Sequence, residues 1–343
     1  MLPSSFPAPD LFSPATGEPA LRWGVLAPGR IAGNFVGAMH RNTAQRVTAV
    51  ASRSLERAQA FAREHGADTA YGSYEALVAD PAVDVVYVAA PASEHLRLGL
   101  LALGAGKHVL IEKPMATNAA DAQQLVDAAA SAGTLLMEAM WSRYLPQSSV
   151  ITKLIADGVL GEIRAVHADF GQAKASNPGH RLFRKELGGG ALLDLGIYPV
   201  QLASMVLGAP RTITAVGAIG DTGVDIYSTL VLGYDTPAQS TLSTSLLART
   251  PSVAAIMGTE ARIELGSPFH VPTTLVLGDN EFLAPTLTWT DPTGVALLEG
   301  LSWEATALAR FVGEGRTESP LHDLAETVSI LATIDEALRQ LAA

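Results

Sequence analysis

Apolar positions along this chain follow two regimes. Between Leu21 and about residue 140, short apolar runs alternate with stretches whose apolar residues recur at helical spacing. The runs Trp23–Leu26, Val47–Ala51, Val83–Ala90, Lys107–Ile111 and Leu135–Ala139 predict strands. Between them, the spacing of Ile31, Phe35, Val36 and Met39 predicts one helix, and Leu55–His65, Leu96–Leu103 and Asn118–Ala130 predict three more. Val83–Ala90 reads VDVVYVAA, an almost unbroken apolar run, as a central parallel strand buried on both faces requires. This alternation predicts a doubly wound parallel sheet, an α/β Rossmann-type domain over residues 21–140.

Past residue 140 the pattern changes. Ile163–Gly171 alternates like a half-buried strand, and Ile213–Ala218, Tyr227–Leu232, Ser240–Leu246, Arg262–Leu265 and Thr273–Leu277 follow with only Gly, Asp and Pro punctuation between them. Trp303–Val312 and His322–Leu341 have helical spacing. The expectation is an α+β domain over residues 141–343 with a large, mostly antiparallel, open-faced sheet. Such a sheet predicts a homodimer or homotetramer built through it. Residues 1–20 are proline-rich and carry no Lys or Arg, so they read as a flexible extension without the basic and apolar regions of a signal peptide.

Charge narrows the partners. The net charge is −11, which disfavours non-specific binding to nucleic acid or an anionic membrane. There is no cysteine, hence no disulfide or thiolate site, in keeping with a reducing cytoplasm. No apolar run approaches the roughly 20 residues of a membrane span. The eight histidines are scattered, and no metal-ligand spacing or serine-hydrolase elbow is present.

The chemistry-bearing residues lie where strands end. Ala27-Pro28-Gly29-Arg30-Ile31-Ala32 separates the first strand from its helix. The dinucleotide fingerprint G-x-G-x-x-G/A belongs here, with Gly29 as the central glycine, Ala32 as the third and Ala27 in place of the first. A helix N-terminus favours a phosphate. The second strand ends in Ser52-Arg53-Ser54, with Arg57 one helical turn on, where an NAD site places Asp or Glu. A hydroxyl and guanidinium groups suit a 2′-phosphate, which predicts NADP, with NAD as the alternative. Ala90, Pro91 and His95 follow the central strand, and Glu112-Lys113-Pro114 follows the next, with an X-Pro bond able to adopt the cis form. Trp141, Arg143 and Tyr144 cluster at the domain junction. Farther on, a basic stretch over 177–187 holds His180, Arg181, Arg184 and Lys185. Gly188-Gly189-Gly190 then introduces Asp194 and Tyr198, which share a face if helical, with Pro199 expected to interrupt the helix after Tyr198.

Taken together, Glu112-Lys113-Pro114 after a Rossmann half and Asp194-x-x-x-Tyr198 within GGGALLDLGIYP resemble the glucose–fructose oxidoreductase/inositol dehydrogenase-like (Gfo/Idh/MocA) family. EAMWSRYLP resembles the branch containing dimeric dihydrodiol dehydrogenases and NADP-dependent D-xylose dehydrogenases. The resemblance implies that Lys113 and Tyr198 face nicotinamide and substrate hydroxyl, with Asp194 supporting them. It implies a cofactor site of Ala27, Pro28, Gly29, Arg30, Ile31, Ser52, Arg53, Arg57, Ala90, Pro91, His95, Glu112, Lys113, Pro114, Trp141 and Arg143. A substrate wall of Trp141, Phe170, Arg181 and Tyr198 follows. The implied activity is hydride transfer between a sugar or cyclic diol hydroxyl and NADP. A nucleotide-linked deoxysugar 3-ketoreductase and a non-catalytic dinucleotide-sensing regulator are the alternatives.

Overall fold

In a computed structural model, the chain is described except at residues 1, 11, 13–16, 175–178, 282 and 283. The described chain divides into two compact units: residues 11–144 with 296–328, and residues 1–10, 145–295 and 329–343. The start of the basic stretch, residues 177 and 178, and part of the N-terminal extension lie outside the described residues.

The first unit holds β1 (Arg22–Leu26), α1 (Arg30–Asn42), β2 (Arg46–Ala51), α2 (Leu55–His65), β3 (Thr69–Tyr71), α3 (Tyr74–Val78), β4 (Val85–Val88), α4 (His95–Gly104), β5 (His108–Glu112), α5 (Ala119–Ala132) and β6 (Leu136–Ala139). All six strands are parallel, in the order β3-β2-β1-β4-β5-β6. That order reverses between β1 and β4, which creates a crevice at the carboxyl ends of those strands. The sequence explains the helix bounds: Ser54 caps α2 by accepting the Arg57 N–H, and Gly66 ends it at φ 71°. Asn118 caps α5 by accepting the Asp121 N–H at 2.9 Å. Trp23, Phe35 and Tyr87 are fully buried and stack in series, with ring centroids 5.7 and 4.3 Å apart. Phe12 of the N-terminal extension is buried too, edge-on to Phe311 and Tyr144.

The second unit is built on an eight-stranded sheet. Its strands are β7 (Ile163–Gly171), β8 (Thr212–Ile219), β9 (Asp225–Gly233), β10 (Gln239–Ser245), β11 (Ala254–Gly258), β12 (Ala261–Leu265), β13 (Leu275–Asp279) and β14 (Thr286–Trp289). The order is β14-β13-β12-β11-β7-β10-β9-β8, antiparallel except for the central β7–β10 pair. α6 (Pro146–Ala156) precedes the sheet and α7 (Ile197–Leu207) packs on β7 and β10. Val216, Tyr227 and Val231 leave a face of the sheet exposed, Val216 to 70%. Gln340 hydrogen-bonds the Ala215 N–H and the Ile213 carbonyl, both at 2.9 Å, and so covers free backbone groups of the edge strand. Asp10 of the extension is tied to Ser149 and Lys153 at 2.8 and 2.6 Å.

Two helices complete the chain: α8 (Leu301–Gly313), in the first unit, and α9 (Leu324–Leu341), divided between the two. The run Lys185–Leu207 is long and apolar enough to cross a membrane, which corrects the expectation that no run reaches that length; 72% of its most apolar window is buried in the fold. Pro199 also behaves otherwise than expected. Leu192–Gly196 forms a π-turn and α7 then runs through Pro199 without a break. The wider turn lies just before a proline that has no N–H to donate, so the irregularity precedes Tyr198 instead of following it.

Candidate active site

In the first unit, the strand-end residues of β2, β1, β4 and β5 come together because those strands are neighbours. Ala27 occupies the left-handed region at φ 60°, the conformation the fingerprint assigns to glycine, and its N–H donates to the Ala51 carbonyl at 3.0 Å. An alanine there costs about 1 kcal/mol of strain but keeps the turn. Gly29 caps α1, and a Cβ on it would meet nothing closer than 3.9 Å, so this side of the backbone is open. α1 has no side-chain cap and no acidic residue in its first turn. Its first N–H groups therefore fit a dinucleotide phosphate.

At the end of β2, Ser52 is buried, its N–H donating to the Tyr71 carbonyl at 3.1 Å and its hydroxyl accepting from the Ser54 N–H at 3.3 Å. Arg53 and Arg57 are exposed, as is Arg30 beside Gly29. In an acidic chain, Ser52-Arg53-Ser54 at this strand end carries a cation and no carboxylate, and Glu56 first appears in the opening turn of α2.

The loops after β4 and β5 are joined by His95. Its ring nitrogens lie 2.8 Å from the carbonyls of Pro114 and Ala90. Burial pushes its pKa down, against the pull of those two carbonyls. The Lys113–Pro114 bond is cis. Buried carboxylates hold the backbone on either side of it. Glu112 accepts the Tyr87 hydroxyl at 2.5 Å and the Lys113 N–H at 3.2 Å, and Glu138 accepts the Met115 N–H at 2.7 Å. Glu138 is paired in turn with His322 Nε2 at 2.8 Å. Burial opposes charge on His322, but Glu138 and Glu326 outweigh it and hold its pKa up.

Trp141 and Arg143 lie on the turn after β6 and both are buried. Arg143 is committed locally: its guanidinium pairs with Glu326 at 2.8 Å and donates to the Leu321 carbonyl. This is a structural tie, and it turns the cation towards the 321–326 segment.

In the second unit, Asp194 sits within the π-turn and pairs with Arg181 at 2.8 Å. Tyr198 is buried in the first turn of α7. Phe170, at the end of β7, stands edge-on to it at 5.8 Å. His270 stacks on both, 4.5 Å from the Tyr198 ring and 4.2 Å from the Phe170 ring. Four sequence-derived positions, Phe170, Arg181, Asp194 and Tyr198, thus gather in this unit. His270 is the residue that sequence reasoning missed: it lies 72 positions from Tyr198, and nothing in Pro268-Phe269-His270 marks it.

An open parallel sheet with this strand order, an uncapped glycine turn and a strand-end lysine defines a class: a dehydrogenase that holds a nicotinamide dinucleotide on a Rossmann sheet. The chain belongs to the GFO/IDH/MocA oxidoreductase family. That family's NAD-binding Rossmann-fold profile matches residues 21–140, and its C-terminal domain profile matches residues 150–264. The trans-1,2-dihydrobenzene-1,2-diol dehydrogenase of Xenopus tropicalis is 38% identical over 326 residues, covering 94% of this chain and 98% of the relative. The 3-ketoreductase KijD10 from Actinomadura kijaniata, solved with NADP and TDP-benzene, superposes with a TM-score of 0.81 at 27% identity, covering 94% and 98% of the two chains. A levoglucosan dehydrogenase solved with NADH and levoglucosan shares the fold, with a TM-score of 0.85 at 20% identity, covering 94% and 97%.

Proposed function

We propose that this protein is an NADP-dependent oxidoreductase that moves a hydride between a cyclic diol or sugar hydroxyl and the nicotinamide. The observation that carries the cofactor choice is the end of β2, where Arg53 and Arg57 stand exposed and no carboxylate occupies the position that would hold a ribose 2′-hydroxyl. The resemblance to the curated dihydrodiol dehydrogenases, which spans nearly the full length of both chains, supports the substrate class.

The site residues take these roles. The α1 N-terminus with Ala27, Pro28, Gly29, Arg30 and Ile31 receives the pyrophosphate. Ser52, Arg53 and Arg57 receive the 2′-phosphate. Ala90, Pro91, His95 and the Glu112-Lys113-Pro114 turn border the nicotinamide. The bound nicotinamide supplies the hydride acceptor or donor. Tyr198 exchanges the hydroxyl proton. A free phenol, with a pKa of about 10, is a weak base at neutral pH, and an ammonium group favours its ionised form. Lys113 supplies that ammonium and hydrogen-bonds the substrate oxygen. Asp194 supports Tyr198 from one turn earlier, and Phe170, Trp141 and Arg181 serve the substrate wall.

The enzyme is a cytoplasmic homodimer or homotetramer assembled through the exposed face around Val216, Tyr227 and Val231. The 3-ketoreductase reading draws on KijD10, but it needs a diphosphate subsite. Arg181 and Arg184 are already neutralised by Asp194 and Glu186 at 2.8 and 2.7 Å, which disfavours one there. A fluorescence titration with NADP and NAD, followed by turnover assays on trans-dihydrodiols, aldoses and a TDP-linked ketosugar, tests the reading. Tighter NADP binding with diol or aldose turnover supports it, and turnover of the TDP-sugar alone replaces it with the ketoreductase.

A further inference from the structure

The three glycines before Asp194 have a counterpart 35 residues downstream. Asp225, the first residue of β9, is 2% exposed. Its Oδ2 accepts the Leu192 N–H at 2.8 Å, and the Ala191 N–H also donates to the carboxylate. These are N–H groups of the first turn of the helical run that continues into α7, where an α-helix leaves its donors without internal partners. A carboxylate there meets both the orphan donors and the positive end of the helix dipole.

The glycines make room for this contact. Gly190 has φ +129°, and a Cβ on it would lie 2.3 Å from Asp225 Oδ1. A Cβ on Gly189 would lie 2.7–2.8 Å from the carbonyls of Leu182, Arg181 and Arg184. The chain is therefore pressed between the Asp225 carboxylate and the turn that carries Arg181, whose guanidinium reaches Asp194 at 2.8 Å.

Resting on the functional reading above, we propose that Asp225 is a positioning residue: by clamping the Ala191–Leu192 turn it fixes the helical register that presents Asp194 and Tyr198. The π-turn at Leu192–Gly196 makes register the quantity at stake. A π-turn holds one residue more than an α-turn, so relaxation to α geometry rotates what lies on one side of it by about 100° relative to the other. Asp194 lies inside that turn and Tyr198 just beyond it. Anchoring the start of the turn opposes the slip. Burial pushes the Asp225 carboxyl up to about 6, opposed by its backbone donors, so the fold retains a carboxylate where burial disfavours one.

The test uses the full-length protein and three variants: Asp225→Ala, Asp225→Asn and Gly190→Ala. Asp225→Ala is expected to lower kcat by about 10- to 100-fold, the range that a misplaced reacting group produces. NADP affinity should stay within about twofold, since the cofactor residues belong to the other unit. Asp225→Asn keeps one acceptor for the Leu192 N–H but loses the charge and the second acceptor, so it should recover part of kcat. Gly190→Ala should also lower kcat, because its Cβ would press on the Asp225 carboxylate and its φ of +129° strains any side chain.

Hydrogen exchange of the peptide spanning residues 190–198 supplies a readout independent of turnover. Exchange there should accelerate in Asp225→Ala while Rossmann-sheet peptides stay unchanged. An inactive wild type would defeat the functional reading, and the exchange result would still decide the role of Asp225. Unchanged exchange, or wild-type kcat in Asp225→Ala, overturns the proposal. A kcat loss that Asp225→Asn fails to rescue also overturns it.

Discussion

Glu304 offers a sharp test of the electrostatics beneath the Lys113 loop. It lies on α8, is 0% exposed, and neither carboxyl oxygen has a hydrogen-bond partner among the described residues. Burial pushes its pKa well up, and the neighbouring Glu112 and Glu138 carboxylates push it further. Folding therefore requires Glu304 to hold a proton that the unfolded chain releases near its ordinary carboxylate pKa. The sign follows from linkage: the contribution is fully present below the unfolded pKa and is lost as pH rises towards the folded one. Each unit of pH over that interval removes about 1.4 kcal/mol of this contribution, so keeping Glu304 neutral at pH 7 weighs on stability by a few kcal/mol at most. Glu304→Gln keeps the shape and needs no proton. Thermal unfolding of both proteins across about pH 5 to 8 should show the variant gaining on the wild type as pH rises, by several degrees at neutral pH at about 2 °C per kcal/mol. A constant difference, or a wild type that gains instead, would refute a neutral Glu304.

Three further outcomes follow from the site and the sheet. Lys113→Ala should lower turnover by about 10²- to 10⁴-fold while NADP still binds; initial rates and a binding titration separate the two, and unchanged turnover removes Lys113 from the chemistry. Arg53→Ala should weaken NADP at least about tenfold more than NAD, as expected of a lost charge-assisted contact to a 2′-phosphate; equal losses in paired titrations would contradict the reading of β2. Val216→Lys, on the exposed sheet face, should shift the mass measured by light scattering from oligomer to monomer, and an unchanged mass would move the interface elsewhere.

The Rossmann half was legible where period and punctuation agreed; β3 and α3 are too short to show a period and were missed. The apolar strands ended at turn residues, and α2 ran over the same Leu55–His65 that the spacing marked, with Ser54 and Gly66 as its stops. The second sheet was legible in kind but not in full. β11, Ala254–Gly258, made largely of small residues with weak strand preference, and β14, Thr286–Trp289, lie within the stretch read as successive strands but were not delimited individually. α6, which follows Pro146, escaped. Local motifs singled out Lys113, Asp194 and Tyr198 as candidates, because strand ends and glycine turns announce themselves in sequence. The residues around them were silent. His270 stacks on Tyr198, Asp225 clamps the Leu192 turn, and His322 supports Glu138 across 184 positions. Each is a tertiary contact whose partner no spacing rule reaches. Arg143 illustrates the converse: a guanidinium in a motif that resembles a cofactor loop is held by Glu326.

The most direct measurement is an initial-rate assay of the wild type and Tyr198→Phe with NADP against trans-dihydrodiols and aldoses, followed at the reduced-nicotinamide absorbance band. Wild-type turnover of at least one such hydroxyl substrate is expected, with a kcat about 10²- to 10⁴-fold lower in Tyr198→Phe and NADP affinity retained. A wild type that binds NADP yet oxidises none of them, or a Tyr198→Phe enzyme at full rate, would rule out Tyr198-assisted hydride transfer from these hydroxyls.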